Sequence, residues 1–129
     1  MNFPEDLKYS KEHEWVRVSG NVATIGISDY AQDQLGEIVF VELPDEGEEF
    51  SKDDAFGVVE SVKSVNDIYS AISGRILEIN DPVVDSPEIV NEDPYGEGWL
   101  IKLEISDPKE LNELMTAKQY QAYIKEESE

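Results

Sequence analysis

Residues 57–69 read GVVESVKSVNDIY, and a Ser-Gly pair follows at Ser73 and Gly74. Valine stands at 58, 59, 62 and 65 and isoleucine at 68, a β-branched run that favours extended backbone. Residues 56–62 and 65–72 are therefore expected to form two strands, joined only through Lys63 and Ser64. Neither joining residue takes up positive φ as an Asn-Gly pair does, so the local turn signal is weak. Val58, Val62, Val65 and Ile68 are expected to pack in the core, with Lys63 left at the exposed join. No other Lys or Arg occurs between Lys52 and Arg75. Taken alone, such a lysine is a solubilising charge. Glu60 and Asp67 nearby favour its ammonium form, which is not nucleophilic, so chemistry at Lys63 requires another protein to bring an activated acyl donor.

Working outward, residues 14–18 and 21–27 flank the turn residues Ser19, Gly20 and Asn21 and read as a hairpin. Ser28 is placed to cap a short helix through Tyr30, Ala31 and Leu35, which Gly36 ends. Strands are expected over 38–43, 75–79 and 99–105, with Pro44, Asp45 and Gly47 breaking the first. Many short strands with frequent turns predict a small all-β sandwich or barrel. At the end of the chain, Asp107 or Ser106 is a cap, Pro108 suits the first helical position, and Leu111, Leu114 and Met115 form an apolar face. Tyr120, Tyr123 and Ile124 repeat the pattern, so two helices over about 107–126 are expected to cover the sheet. Residues 1–129 read as one domain with its core over about 14–105.

The chain has 30 Asp and Glu against 10 Lys and Arg, a net charge of −20, and no cysteine. Such a surface repels nucleic acid phosphates and anionic lipid, whose binding depends on basic residues. Without cysteine there is no disulfide framework, thiolate nucleophile or sulfur-based zinc site. No uninterrupted apolar stretch approaches the roughly 18 residues of a membrane span, and the first residues carry acids where a signal core would be apolar. A cytoplasmic chain is the expectation, or a mitochondrial one if it is a processed eukaryotic product. The seven acids among residues 76–101, without a Lys or Arg, read as a steering field for basic partners.

The inventory for catalysis is short. His13 is the only histidine and reads as a residue at the start of an edge strand, with no G-x-S-x-G motif to accompany it. Phosphate loops of the G-x-G-x-x-G and Walker types are absent. Asp45, Glu46, Glu48, Glu49, Asp53 and Asp54 lack the calcium-loop pattern and read as solvated loop acids, so no metal site is expected.

The run 57–69 with Ser73 and Gly74 closely resembles the lipoyl-attachment segment of the glycine cleavage system H-protein family. His13-Glu14-Trp15-Val16, residues 22–27, residues 36–44 and residues 91–100 are also similar to that family, in its order and across nearly the whole chain. The resemblance implies an all-β hybrid of barrel and sandwich of the lipoyl/biotinyl type, with short helices and a C-terminal helical segment. It implies a non-catalytic carrier with lipoate in amide linkage to Lys63. In the family that arm takes the aminomethyl group of glycine from a pyridoxal-phosphate-dependent decarboxylase (P protein) to a tetrahydrofolate-dependent aminomethyltransferase (T protein). Dihydrolipoamide dehydrogenase (L protein) then reoxidises it, and a lipoate ligase or octanoyl/lipoyl transferase attaches it. Glu14 matches the acid implied for a cleft that holds the loaded arm, with Asp67 a second candidate. Lipoate relay to other lipoyl proteins is the alternative function, and an acidic interaction protein with unmodified Lys63 is a third. Missing cysteines agree with a carrier whose sulfur chemistry belongs to its cofactor, where protein thiols would compete by exchange. Ala71 stands where the family commonly has proline, and Glu12 adds an acid where some members have a small polar residue.

Overall fold

Gly20, at φ +61, closes the first hairpin between β2 (Glu14–Ser19) and β3 (Val22–Ile27), with Ser19 opposite Val22. Ser28 then accepts from the Ala31 N–H and starts α1 (Asp29–Leu35), and Gly36 at φ +81 ends it. Helix and hairpin boundaries thus follow the local chemistry of the caps and the turn.

The computed structural model describes residues 1–128. The remaining elements are β1 (Lys8–Tyr9), β4 (Ile38–Glu42), β5 (Glu49–Phe50), β6 (Ala55–Ser61), β7 (Val65–Tyr69), β8 (Gly74–Ile79), α2 (Asp81–Asp85), α3 (Ile89–Glu92), β9 (Ile101–Ile105), a 3-10 helix Pro108–Glu113 and α4 (Ala117–Ser128). Six strands form an antiparallel sheet in the order β1-β2-β3-β9-β8-β5, and three form a second in the order β4-β6-β7. The fold is all-β with short helices and a C-terminal helix, and its two sheets do not close into a barrel. Among the described residues no helix is long and apolar enough to cross a membrane.

The main core lies between the sheets and contains Ile25, Val41, Val59, Ile68, Ile76 and Leu103. A second cluster on the outer side of β2 contains Leu7, Tyr9, Trp15, Tyr95 and Tyr120. Tyr9 and Tyr120 stack with centroids 4.6 Å apart, which fixes α4 against β1. The Trp15 indole N–H donates to the Pro94 carbonyl at 2.9 Å, so this large ring is buried without an orphaned donor.

Several local expectations change. Val62 and Val65 are 65% exposed, Val58 lies on the outer face of the small sheet, and none of the three packs in either core; Ile68 does, and Val41 and Val59, on the opposite face of that sheet, fill the place of the others. His13 is not on an edge strand: it occupies the turn before β2 at φ 71. The first of the two terminal helices is the 3-10 helix Pro108–Glu113, which ends where Leu114 takes extended geometry at φ −84, ψ 158. The very short strands β1 and β5 and the short helices α2 and α3 were not anticipated.

Candidate functional site

The Lys63 turn is built by a side chain. The Ser61 N–H donates to the Ser64 carbonyl at 2.8 Å, and the Ser61 hydroxyl accepts from the backbone N–H of both Lys63 and Ser64 at 3.2 Å. A buried serine hydroxyl thus does what an Asn-Gly turn does by positive φ. The Val62 N–H donates to the Glu37 carbonyl at 3.1 Å, which ties the turn to the connection between α1 and β4. The backbone at Lys63 is therefore fixed while its side chain is exposed.

Asn91 steadies the neighbouring wall. Its side chain accepts from the Ile38 N–H at 2.8 Å and donates to the Gly36 carbonyl at 2.8 Å and to Gln32 at 3.0 Å, so α3 braces the end of α1. The Lys63 stem lies over that end, where a Cβ added to Gly36 would stand 3.3 Å from its Cε. Lys63 Nζ is 3.5 Å from the Gln34 carbonyl, at the negative end of the short helix.

Beside the lysine runs a groove of about 710 Å³ between α1 and β7. Ile27, Ala31, Leu35 and Ile68 give it apolar walls, while Glu12, His13 and Asp67 supply polar groups. A second hollow of about 490 Å³ opens beyond Tyr69, lined by Ser10, Glu12, Lys52 and Asp53 among others. Asp67 is exposed in the first groove, on the strand that follows Lys63.

Glu14 does not line either space. It is 1% exposed, and its carboxyl accepts from the Ser10 hydroxyl at 2.6 Å and from the Tyr69 backbone N–H. Tyr69 lines both hollows, so Glu14 sits behind it, beneath the partition between them. Burial raises its pKa from 4.5 to about 8, against the opposing pull of the two hydrogen bonds, and Glu12 and Asp53 add to the rise. The carboxyl is thus mostly protonated at neutral pH in the unloaded chain.

That burial has a pH signature. Between about 4.5 and about 8 the folded chain holds a proton on Glu14 that the unfolded chain has lost. Its contribution to stability is therefore fully present below about 4.5 and drains away as pH rises through about 8. Glu14→Gln keeps a neutral hydrogen-bonding group there. Chemical denaturation from pH 5 to 9 is expected to show a flatter decline for the variant and greater stability than the parent at the alkaline end; parallel curves would contradict a buried, raised carboxyl.

His13 belongs to a structural chain at the far end of the groove. Its Nε2 lies 3.2 Å from the Glu127 carboxylate, its Nδ1 is 2.9 Å from the Tyr120 hydroxyl, and that hydroxyl is 2.6 Å from the Ser28 cap. With Nε2 protonated toward Glu127, Nδ1 accepts from Tyr120 and Ser28 donates onward. The C-terminal helix thereby holds the start of α1, the groove's other wall.

The acids are used unevenly. Glu78 stands 3.8 Å from Lys102, and the Asp93 carboxylate accepts from the Glu97 N–H at 3.0 Å, so neither is free field. Asp81, Asp85, Glu88, Glu92 and Glu97 are exposed. In the 45–54 loop the side chains of Glu48 and Asp54 accept from the N–H groups of Asp45 and Ser51.

Of the residues singled out from sequence, Asp67 lines the groove, Lys63 approaches it at the Gln34 carbonyl, and Glu14 lies behind its wall. Ser61, Asn91, Gln34 and Tyr69 were missed as supports. Only the side-chain turn at Ser61 had a local signal, a serine two residues before the lysine.

Comparison with known proteins gives a consistent result. The family model described as Glycine cleavage H-protein matches residues 7–127. A glycine cleavage system H protein of Carboxydothermus hydrogenoformans is 56% identical over 126 residues, 98% of this chain and 97% of the relative. That of Symbiobacterium thermophilum is 57% identical over 125 residues, covering 97% and 98%. The crystal structure of a glycine cleavage system H protein from Mycobacterium marinum superposes with a TM-score of 0.86 at 37% identity, covering 92% of this chain and 96% of that one.

Proposed function

Because this chain belongs to the glycine cleavage H-protein family, a family of lipoyl carriers, we propose that Lys63 holds lipoate in amide linkage. The arm then carries the aminomethyl group of glycine from the pyridoxal-phosphate-dependent decarboxylase to the tetrahydrofolate-dependent aminomethyltransferase, and dihydrolipoamide dehydrogenase reoxidises it. The observation that carries this reading is the exposed lysine on a Ser61-clamped turn, opening onto a groove that contains Asp67.

Attachment starts from the Lys63 ammonium, which must first give up a proton. Its free amine attacks the activated acyl carbon; the C–N bond forms as the bond to the donor's adenylate or thiol breaks, and a second proton passes to solvent. The lysine charge disappears in this step, and with it the attraction to the Gln34 carbonyl. Loss of that tether frees the stem from the end of α1.

When bound, the dithiolane supplies the sulfur that takes up the aminomethyl group and is itself reduced in doing so. The protein's part is shelter. Ile27, Ala31, Leu35 and Ile68 exclude water along the groove, and Asp67 offers a carboxylate to the amine of the cargo. Glu14 acts from behind Tyr69. A cation arriving in the groove favours its ionised form.

Exchange of labelled bicarbonate into the carboxyl of glycine by the purified decarboxylase tests the reading. The lipoylated chain is expected to support exchange and the unmodified chain to leave it at background; equal rates with both would overturn the carrier role.

A further inference from the structure

We propose that the outer face of the small sheet is the docking surface for the enzyme that acylates Lys63, and that this enzyme presents an apolar recess within a basic rim. The inference rests on the carrier reading and adds to it the place and chemistry of one contact.

Register defines the face. Phe40, Glu60 and Val65 lie opposite one another across β4, β6 and β7, and Glu42, Val58 and Asp67 form the next row. Between these rows Val41 and Val59 point the other way and are buried in the core at 1% exposure. The outer face therefore alternates apolar side chains with carboxylates, and none of its six residues is basic.

Exposure is concentrated there. Seven large hydrophobic residues are prominently exposed among those described, and four of them, Val39, Phe40, Val62 and Val65, lie on or beside this face at 46–65% exposure. Single exposed apolar residues are ordinary, but a cluster around a modified lysine is the mark of a contact surface. Glu37, Glu42, Glu60 and Asp67 surround it with negative charge. Among the described residues of β4, β6, β7 and the turn between the last two, the one cation is Lys63 itself, and acylation neutralises it. A basic partner surface is the complement.

Reach selects the occupant. Before any arm is attached, an enzyme must bring its activated carbonyl to within one lysine side chain of the turn. It then lies against Val62 and Val65, the immediate flanks, and against Phe40 across the sheet. The Val62 hydrogen bond to Glu37 and the Ser61 clamp hold this surface rigid, so docking orders little chain. Enzymes that meet the acylated arm act at longer range and need less of the sheet.

Steady-state acylation by a purified lipoate ligase or octanoyl transferase tests this on the full chain, with product counted by intact mass. Phe40→Ser with Val65→Ser is expected to raise KM for the protein substrate about tenfold, the loss typical of a removed interface anchor. The value of kcat should stay within about twofold, since the lysine itself is unaltered. A second variant, Glu42→Gln with Glu60→Gln, removes only charge; it should raise KM at low salt and weaken the salt dependence of KM. Asp85→Asn with Glu88→Gln, on the other acidic stretch, is the control and should match the parent. Parental KM in both face variants, or an equal rise in the control, overturns the docking surface while leaving the carrier reading intact. Failure of the parent itself to be acylated overturns the carrier reading and this inference together.

Discussion

Lys63→Arg is expected to abolish acylation and, with it, all bicarbonate exchange supported by the chain. Arginine keeps the positive charge and a long stem, so the contact with the Gln34 carbonyl and the packing over Gly36 are retained. What it lacks is an amine that can lose a proton near neutrality, since the guanidinium stays protonated up to a pH of about 12. No amide forms. The position is exposed, so stability should change by less than about 0.5 kcal/mol, which separates loss of function from loss of fold. The check is exchange activity and intact mass on the same preparation. Residual exchange at the parental rate would show that the cargo is carried elsewhere.

The largest expected effect on stability is at Trp15. Its ring is fully buried, packs against Gly26 so closely that an added Cβ would lie 2.8 Å from it, and donates to the Pro94 carbonyl. Trp15→Ala opens a cavity in the second cluster and orphans that carbonyl, at an expected cost of about 3–5 kcal/mol. Against a typical total of roughly 5–15 kcal/mol, this is a large share of what holds the chain folded. The thermal midpoint should fall by roughly 10–20 °C. Glu14 precedes Trp15 on β2 and so faces the other side of the strand, where Ser10 and Tyr69 cover it; the pH dependence described above should therefore persist in the variant. A fall of only a degree or two would mean that the aromatic cluster contributes little and that α4 is held by other contacts.

How much was legible can be argued residue by residue. The first hairpin and α1 were readable because Gly20, Ser28 and Gly36 act on their immediate neighbours. Lys63 was readable as an isolated cation between two strands. Its turn carries only the faint signal of a serine two residues earlier, because a serine hydroxyl closes it without any positive φ. Val62 and Val65 were misjudged for a related reason: strand propensity does not say which face meets the core, and the register places them outside. The family resemblance places Glu14 in the cleft that holds the loaded arm. Glu14 is buried because β2 is covered on both sides, with Trp15 facing the aromatic cluster and Val16 the main core. On its own face Glu14 is covered by Ser10 and by Tyr69, the latter brought in from far along the chain, and no local pattern announces it. The link from Glu127 through His13 and Tyr120 to Ser28 is equally nonlocal. Strands of two residues, such as β1 and β5, are too short to show a period at all.

Everything proposed for this chain turns on one covalent bond. Incubation with lipoate, ATP and a lipoate ligase, followed by intact mass and fragmentation, tests it most directly. A carrier is expected to gain one lipoyl group, located on Lys63 and absent from Lys63→Arg. No mass gain, or a gain placed on any of the other lysines, would contradict it.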